Sequence, residues 1–172
     1  HLKSSSASVA GAITGGTVDG DVHVTSGAYE ALNGVTLNGT VHLTGGSDRL
    51  RVYNSLTLNG TADLSGSSSI MEFDSGSQTL GATLGQTTRV SLGTSSSTVR
   101  VLEGGTLTFE DTTTVEGRGL IRGYGSGSTV INEGLIHANH GSGYILIDPE
   151  NFTNTGTLRV TAGGALSLSG NW

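Results

Sequence analysis

A short pattern that recurs along the chain constrains its fold more than any other feature. Residues 18–24, 37–43 and 58–64 each begin with an apolar residue, continue with a turn pair and end in alternating apolar and polar positions. The turn pairs, Asp or Asn followed by Gly, suit a backbone with positive φ. Because side chains alternate between the two sides of a strand, the pattern predicts short strands with one apolar side.

The alternation assigns each side chain either to the core or to the surface. Two further segments, residues 132–138 and 154–160, match each other at an offset of 22 positions. The predicted inward residues are Val22, Val24, Val41, Leu43, Ala62, Leu64, Ile136, Ala138, Leu158 and Val160. The predicted outward residues are His23, His42, Asp63, His137 and Arg159, of which the first two are expected to be neighbours.

One polar column links the two halves of the chain, and each of its members precedes an apolar residue. The column consists of Thr17, Thr36, Thr57, Thr83, Thr108, Thr129 and Asn151. Its six intervals average about 22 residues, which suits one coil of three short strands and three turns. We therefore predict an all-β chain that forms a parallel β-solenoid of about eight coils over residues 15–172. Residues 1–14 are expected to be a cap or a disordered segment, and the whole a piece of a longer rod. The apolar partners Leu84, Phe109 and Phe152 are predicted to face the core.

Composition excludes several classes of fold and partner. The 29 Gly and many β-branched residues disfavour helix, and 13% charged residues are too few for a typical disordered chain. A net charge of −6 with only 8 Lys and Arg offers no basic stripe for nucleic acid. No apolar run approaches the ~18 residues that span a bilayer. The absence of Cys excludes disulfides and Cys-ligated zinc.

The C-terminal part of the chain resembles large bacterial adhesins. Residues 130–137 read Val-Ile-Asn-Glu-Gly-Leu-Ile-His, and residues 152–168 read Phe-Thr-Asn-Thr-Gly-Thr-Leu-Arg-Val-Thr-Ala-Gly-Gly-Ala-Leu-Ser-Leu. This style of repeat is similar to the β-helical passengers of autotransporters and to filamentous-haemagglutinin-like proteins. The resemblance implies a single-stranded right-handed parallel β-helix, surface display, and a role in adhesion or biofilm formation.

Acidic residues and histidines are the candidates for chemistry. β-Helical hydrolases and lyases use clustered carboxylates. Asp19 and Asp21 lie two positions apart, but the next two coils have Asn and Thr there. His137 and His140 are three apart, a spacing that suits a helix better than a strand. The other acids considered are Asp48, Asp63, Asp74, Glu110, Asp111, Asp148 and Glu150. No catalytic, metal-ligating or cofactor-binding residue is predicted.

We expect a structural or adhesive segment of an exported bacterial surface protein, located at the cell surface or secreted. It would be a rigid spacer whose polar face binds a carbohydrate or a protein on a host or neighbouring cell. The candidate binding residues are the column from Thr17 to Asn151 together with His23 and His42. We expect no nucleic-acid partner, no membrane insertion, and a monomer or weak self-association. The alternatives are a polysaccharide-active β-helix and an ice-binding solenoid. The latter is disfavoured because the column is one Thr wide, whereas ice-binding solenoids present T-x-T arrays.

Overall fold

The computed structural model describes residues 2–9, 11–25 and 30–172, with side chains from residue 11 onward. Over these residues the chain forms eighteen strands and no helix. Two of the strands, β1 and β2, lie in the N-terminal segment for which a cap or disorder is predicted. His1 and Ala10 of that segment lie outside the described residues.

The strands are long at the start of the solenoid and short after it. The first five are β1 (Leu2–Val9), β2 (Ala12–Thr14), β3 (Thr17–Val24), β4 (Glu30–His42) and β5 (Arg49–Leu64). The others are β6 (Ile70–Phe73), β7 (Ser77–Gly81), β8 (Thr88–Leu92), β9 (Thr98–Leu102), β10 (Thr106–Phe109), β11 (Thr113–Gly117), β12 (Gly119–Tyr124), β13 (Thr129–Asn132), β14 (Leu135–Ala138), β15 (Tyr144–Asp148), β16 (Asn151–Asn154), β17 (Thr157–Val160) and β18 (Ala165–Leu168).

Every pairing between the described strands is parallel, and the chain returns to each of three faces once per coil. The arginine face consists of β2, residues 30–33, residues 49–53, β6, β9, β12, β15 and β18. The threonine face consists of residues 17–19, 35–38 and 56–59, then β7, β10, β13 and β16. The histidine face consists of residues 21–24, 40–42 and 60–64, then β8, β11, β14 and β17. This is the predicted parallel β-solenoid, with about seven turns where about eight are predicted.

The interior is a stack of apolar columns. The inward column of the histidine face consists of Val22, Val41, Ala62, Val90, Val115 and Ile136, all fully buried. A single coil cannot bury its apolar side alone, so this stacking is the main source of stability. Val160, which is predicted to face inward, is 48% exposed. Its strand β17 pairs with β14 alone among the described strands, so no further coil covers it.

Two asparagines continue a core column that is apolar in the earlier coils. Above Phe109 on the threonine face, Asn132 is fully buried and Asn154 follows it in register. Asn132 Nδ2 donates to Asn154 Oδ1 at 2.7 Å and to the Gly134 carbonyl at 3.3 Å. Asn154 Nδ2 likewise donates to the Gly156 carbonyl at 3.2 Å. The N-x-G motif therefore contains an inward asparagine that satisfies a backbone carbonyl at the corner of the coil, as a buried carbonyl requires.

Glycine is required at the corner between the threonine and histidine faces. Gly39 and Gly60 stack in register, and both have a φ of 155°. A Cβ on Gly60 would overlap the carbonyl oxygen of Gly39, and a Cβ on Gly39 would overlap that of Gly20. The coils approach so closely here that no other residue fits without a shift of the backbone.

The predicted polar column is correct within each half of the chain, but the two halves do not form one column. Thr17, Thr36 and Thr57 are in register with one another, and Thr106, Thr129 and Asn151 form a second column four positions away, which contains Ser77 of β7. Thr57, however, pairs with Gly81, the last residue of β7. Thr83 lies in the turn beyond that strand, and the following Leu84 is fully exposed instead of buried. The extra residues of this coil lie in its turn, so an equal spacing along the chain does not preserve the register.

Thr108 is also out of the predicted column. It pairs with Thr79 on one side and with Ile131 on the other, whereas Thr106 pairs with Thr129. The predicted register is therefore shifted by two residues at this strand. Because side chains alternate with a period of two, such a shift keeps each residue on its predicted side. This explains why Phe109 is fully buried as predicted, and Phe152 is buried as well.

Replacing Phe109 by Ala tests the core assignment. Phe109 is fully buried within a column, so we expect Phe109→Ala to lower the free energy of unfolding by ~3–5 kcal/mol. Leu84→Ala is the control, because Leu84 is fully exposed and should change stability by less than about 0.5 kcal/mol. Urea denaturation measures both variants. Similar losses for the two would contradict the position given to Phe109.

Candidate functional site

A dense group of charged side chains lies on the arginine face. One outward column, which we call the arginine ladder, consists of Arg51, Glu72, Arg100, Arg122 and Asp148 in register on five successive strands. Arg49 lies beside the ladder on β5, two positions before Arg51. Four of the eight cationic side chains of the chain therefore lie on one face.

The carboxylate of Glu72 organises this group. Glu72 is fully buried, although it occupies an outward position, because arginine side chains from β5 and β9 cover it. Arg49 Nη2 donates to its two oxygens at 2.9 and 2.7 Å, and Arg51 Nε donates to Oε1 at 2.7 Å. Arg100 Nε donates to Oε2 at 2.5 Å. One carboxylate thus holds three guanidinium groups in place, in charge-assisted bonds of the stronger kind.

These contacts fix the protonation state of Glu72. Burial alone would raise the pKa of its carboxyl group. The hydrogen bonds from Arg51, Arg49 and Arg100 outweigh burial, so the pKa of Glu72 lies below its usual value. The pKa of Arg51 is raised, chiefly by its hydrogen bond to the hydroxyl of Tyr53 and then by Glu72. Glu72 is therefore a permanent anion near neutral pH, and the cluster keeps a net positive charge.

Two tyrosines flank the ladder. Tyr53 lies two positions after Arg51 on β5, and the Arg51 guanidinium carbon is 6.0 Å from its ring centre. Tyr124 lies two positions after Arg122 on β12, and the Arg100 guanidinium carbon is 4.7 Å from its ring centre. Both distances are within the range of cation–π interactions. Tyr124 is held by this contact, yet it remains 58% exposed.

Arg122 differs from the other arginines of this face. It is exposed and makes no hydrogen bond or ion pair with any residue that the structure describes. Its neighbour on one side is Arg100, a like charge that is already bonded to Glu72. Like charges directly opposite each other on neighbouring strands reduce stability. Its neighbour on the other side is Asp148, with which it forms no ion pair. Arg122 is therefore an exposed cation that a ligand can reach.

On the threonine face, the earlier coils are joined by a hydrogen-bonded ladder. Asn38 Nδ2 donates to Asp19 Oδ1 at 2.5 Å, and Asn59 Nδ2 donates to Asn38 Oδ1 at 2.7 Å. Thr83 continues the ladder, since its backbone nitrogen and its hydroxyl donate to Asn59 Oδ1 at 2.9 and 3.0 Å. These side chains bond mainly to one another, so their polar atoms serve the stacking of coils.

The later coils present two outward ranks on the same face. One rank consists of Ser77, Thr106, Thr129 and Asn151, and the other of Thr79, Thr108, Ile131 and Thr153. At β10 both outward residues are Thr, as the Thr-Leu-Thr sequence of residues 106–108 predicts. Neither rank is threonine throughout these four strands, so they do not form a regular T-x-T array.

His23 and His42 are neighbours on the histidine face, as the alignment predicts. Their rings are stacked, with centroids 4.4 Å apart and planes 11° from parallel. Asp21 Oδ1 accepts a hydrogen bond from the Thr40 backbone at 2.8 Å, and its Oδ2 lies 3.6 Å from His42 Nε2. The Thr40 bond contributes most to lowering the pKa of Asp21, against a smaller opposing effect of burial and with help from both histidines.

Farther along this face, the outward side chains are engaged within the protein. Glu116 forms an ion pair with Arg89 and accepts a hydrogen bond from Asn139 Nδ2 at 3.0 Å. His137 Nε2 lies 2.7 Å from the hydroxyl of Thr161. His137 is therefore held by a hydroxyl group, and among the described residues no group of three or more His, Asp or Glu side chains can hold a metal ion.

Several acids that were candidates for catalysis bond to the backbone instead. Asp48 Oδ2 accepts from the Gly45 nitrogen at 2.6 Å, and Glu150 Oε2 accepts from the Gly127 nitrogen at 2.5 Å. Asp19 and Asp21, two positions apart in the sequence, lie on opposite sides of the Gly20 corner, on the threonine and histidine faces respectively. The fold therefore separates them onto two faces.

Sequence reasoning missed the arginine ladder. Its signal was a charged residue between two apolar strand residues, as at Arg51 between Leu50 and Val52. The register remained hidden, because Glu72 and Arg100 are 28 positions apart whereas Arg100 and Arg122 are 22 apart. An alignment at a constant period does not bring these residues together.

Comparison with protein-family models, with curated proteins and with solved structures finds no match to this chain. Within the part of the chain that the structure describes, no helix has the length and apolar character needed to cross a bilayer.

Replacing Glu72 by Gln tests its role as the organising anion. The change leaves three guanidinium groups without their carboxylate, so we expect the free energy of unfolding to fall by about 2 kcal/mol at pH 7. This is less than the 3–5 kcal/mol of a fully buried pair, because solvent reaches the arginines. A lowered pKa in the folded state stabilises the protein above the ordinary value of 4.5, and this contribution is lost as pH falls through the lowered pKa. The difference in the free energy of unfolding between the wild type and Glu72→Gln should therefore become smaller below about pH 4.5.

Glu133→Gln is the matched control, since Glu133 is exposed. Chemical denaturation at several pH values measures all three proteins, and the control should follow the wild type within about 0.5 kcal/mol. The role assigned to Glu72 would be disproved if wild type and Glu72→Gln differed by the same free energy of unfolding at pH 3 as at pH 7.

Proposed function

We propose that this chain is a rigid spacer segment of an exported bacterial surface protein, and that its arginine face binds a carbohydrate or a protein on a neighbouring surface. The observation that supports binding is that Arg122 and Tyr124 are exposed and lie beside the ordered cluster around Glu72. An exposed cation without an internal partner, next to an exposed ring, gives a ligand both charge and contact area.

Coil stacking supports the spacer part of the proposal. Parallel strands repeat about every 4.8 Å, so about seven turns give a rod of roughly 35 Å. Each coil contacts only its neighbours along the axis, and the same parallel backbone pairing joins successive coils on each face. Such a rod holds its outward side chains at fixed spacings.

Composition and repeat style support an exported location. The chain has no Cys, so it folds without disulfide formation, and its charge content is low for its length. Its C-terminal repeats are similar in style to those of bacterial adhesins. Surface display would allow the arginine face to meet ligands on another cell.

We further propose that the segment is not an enzyme. Glycoside hydrolysis requires two carboxyl groups about 5–10 Å apart, one of which is protonated near neutral pH. Glu72 is held as an anion by three arginines, which is unfavourable for a general acid. Asp19 and Asp21 stand on different faces. These arrangements favour binding over turnover.

Binding and turnover measured on the same samples test this proposal. The folded chain is incubated with a panel of immobilised neutral and acidic polysaccharides and with bacterial and host surface proteins. We expect saturable binding to at least one of them, without release of new reducing ends or unsaturated sugars. Product release that is abolished by Asp21→Asn or Glu72→Gln would show that the segment is an enzyme. A complete lack of binding would disprove the binding part of the proposal and leave the spacer part.

A further inference from the structure

We infer that the ligand of the arginine face is an acidic polysaccharide, whose carboxylate groups pair with Arg122 and whose sugar rings contact Tyr124. This inference rests on the proposed function and names the ligand class for the same face. The two side chains extend from the same side of β12, two positions apart, so a single ligand can contact both.

The charge of this face is opposite to that of the whole protein. The chain has a net charge of −6, yet the arginine face combines four arginines with the buried Glu72. Charges are screened over about 8–10 Å at physiological ionic strength, so an anion at Arg122 responds chiefly to this local group. The four arginines outnumber by one the three carboxylates on the described strands of this face, Glu30, Glu72 and Asp148, and this excess of positive charge attracts an anionic ligand.

Acidic side chains at the rim favour a sugar over a nucleic acid. Asp148 is next to Arg122 in register, and Asp74 follows directly after β6. Carboxylates accept hydrogen bonds from sugar hydroxyl groups, but they repel a ligand that carries a phosphate at every unit. A mixture of arginine, carboxylate and tyrosine therefore suits a polyhydroxylated chain whose charges are spaced apart.

The surface is ordered before a ligand arrives. Glu72 holds Arg100, and Arg100 in turn holds the ring of Tyr124. A ligand that contacts Tyr124 loses less free energy in ordering the protein than it would on a mobile surface. In register, Arg122 lies between Arg100 and Asp148, and an anion that binds between the two arginines offsets their mutual repulsion.

Hyaluronan is the probe, because it carries one carboxylate on every second sugar. Binding of a labelled hyaluronan fragment to the folded chain is measured at low and at physiological salt. We expect Arg122→Ala to weaken binding by about tenfold, and Tyr124→Ala to weaken it as well. Arg159→Ala is the matched control, since Arg159 is an exposed arginine on the histidine face. It removes the same charge from the chain and should leave binding almost unchanged.

The outcomes separate this inference from the proposed function. Both arginine variants should keep the wild-type melting temperature, which shows that they are folded. Equal weakening by Arg122→Ala and Arg159→Ala would overturn the inference, because it would indicate general charge attraction. Equal affinity for single-stranded oligothymidylate would overturn the assignment to a polysaccharide. Absence of hyaluronan binding, with binding elsewhere in the panel of polysaccharides and proteins, would overturn this inference and leave the proposed function standing.

Discussion

Parallel hydrogen bonding of the backbone between successive coils is the interaction on which the rest of this structure depends. It sets the spacing of the coils at about 4.8 Å and decides which side chain lies above which. Every column in the molecule follows from it, whether apolar as at Val41 and Ala62 or charged as at Glu72 and Arg100. The environment of a residue in this fold therefore depends less on its sequence neighbours than on its register partners in the adjacent coils.

The inward and outward columns of side chains differ in the residues that this register brings together. Inside, apolar residues stack and exclude water, and the buried Asn132 side chain donates a hydrogen bond to a backbone carbonyl. On the outside, stacked side chains of like charge would repel one another, so opposite charges and amide groups alternate along the outward columns. Arg122 departs from this rule on one side, because it lies beside Arg100, and it forms no ion pair with Asp148 on the other side. A departure of this kind marks a functional surface more clearly than an abundance of polar residues does.

Much of the fold is predictable from the sequence, because alternation and corner glycines are local features. The inward sides of the strands, the stacked histidines and the parallel solenoid all follow from them. The register across unequal coils is not predictable in this way. Extra residues in turns moved Thr83 and Leu84 out of their predicted column and shifted Thr108 by two positions. The arginine ladder was missed for the same reason, since its members meet only in the folded register.

The register around the longest coil can be tested most directly with pairs of engineered cysteines, since the chain has none of its own. Thr79 and Thr108 are register partners on adjacent strands, at a spacing compatible with a disulfide. The structure predicts rapid formation of a disulfide in the Thr79→Cys, Thr108→Cys double variant under mild oxidation. It predicts none in the Thr83→Cys, Thr108→Cys variant, which represents the register expected from equal spacing. Efficient crosslinking of the second pair but not of the first would contradict the register described here.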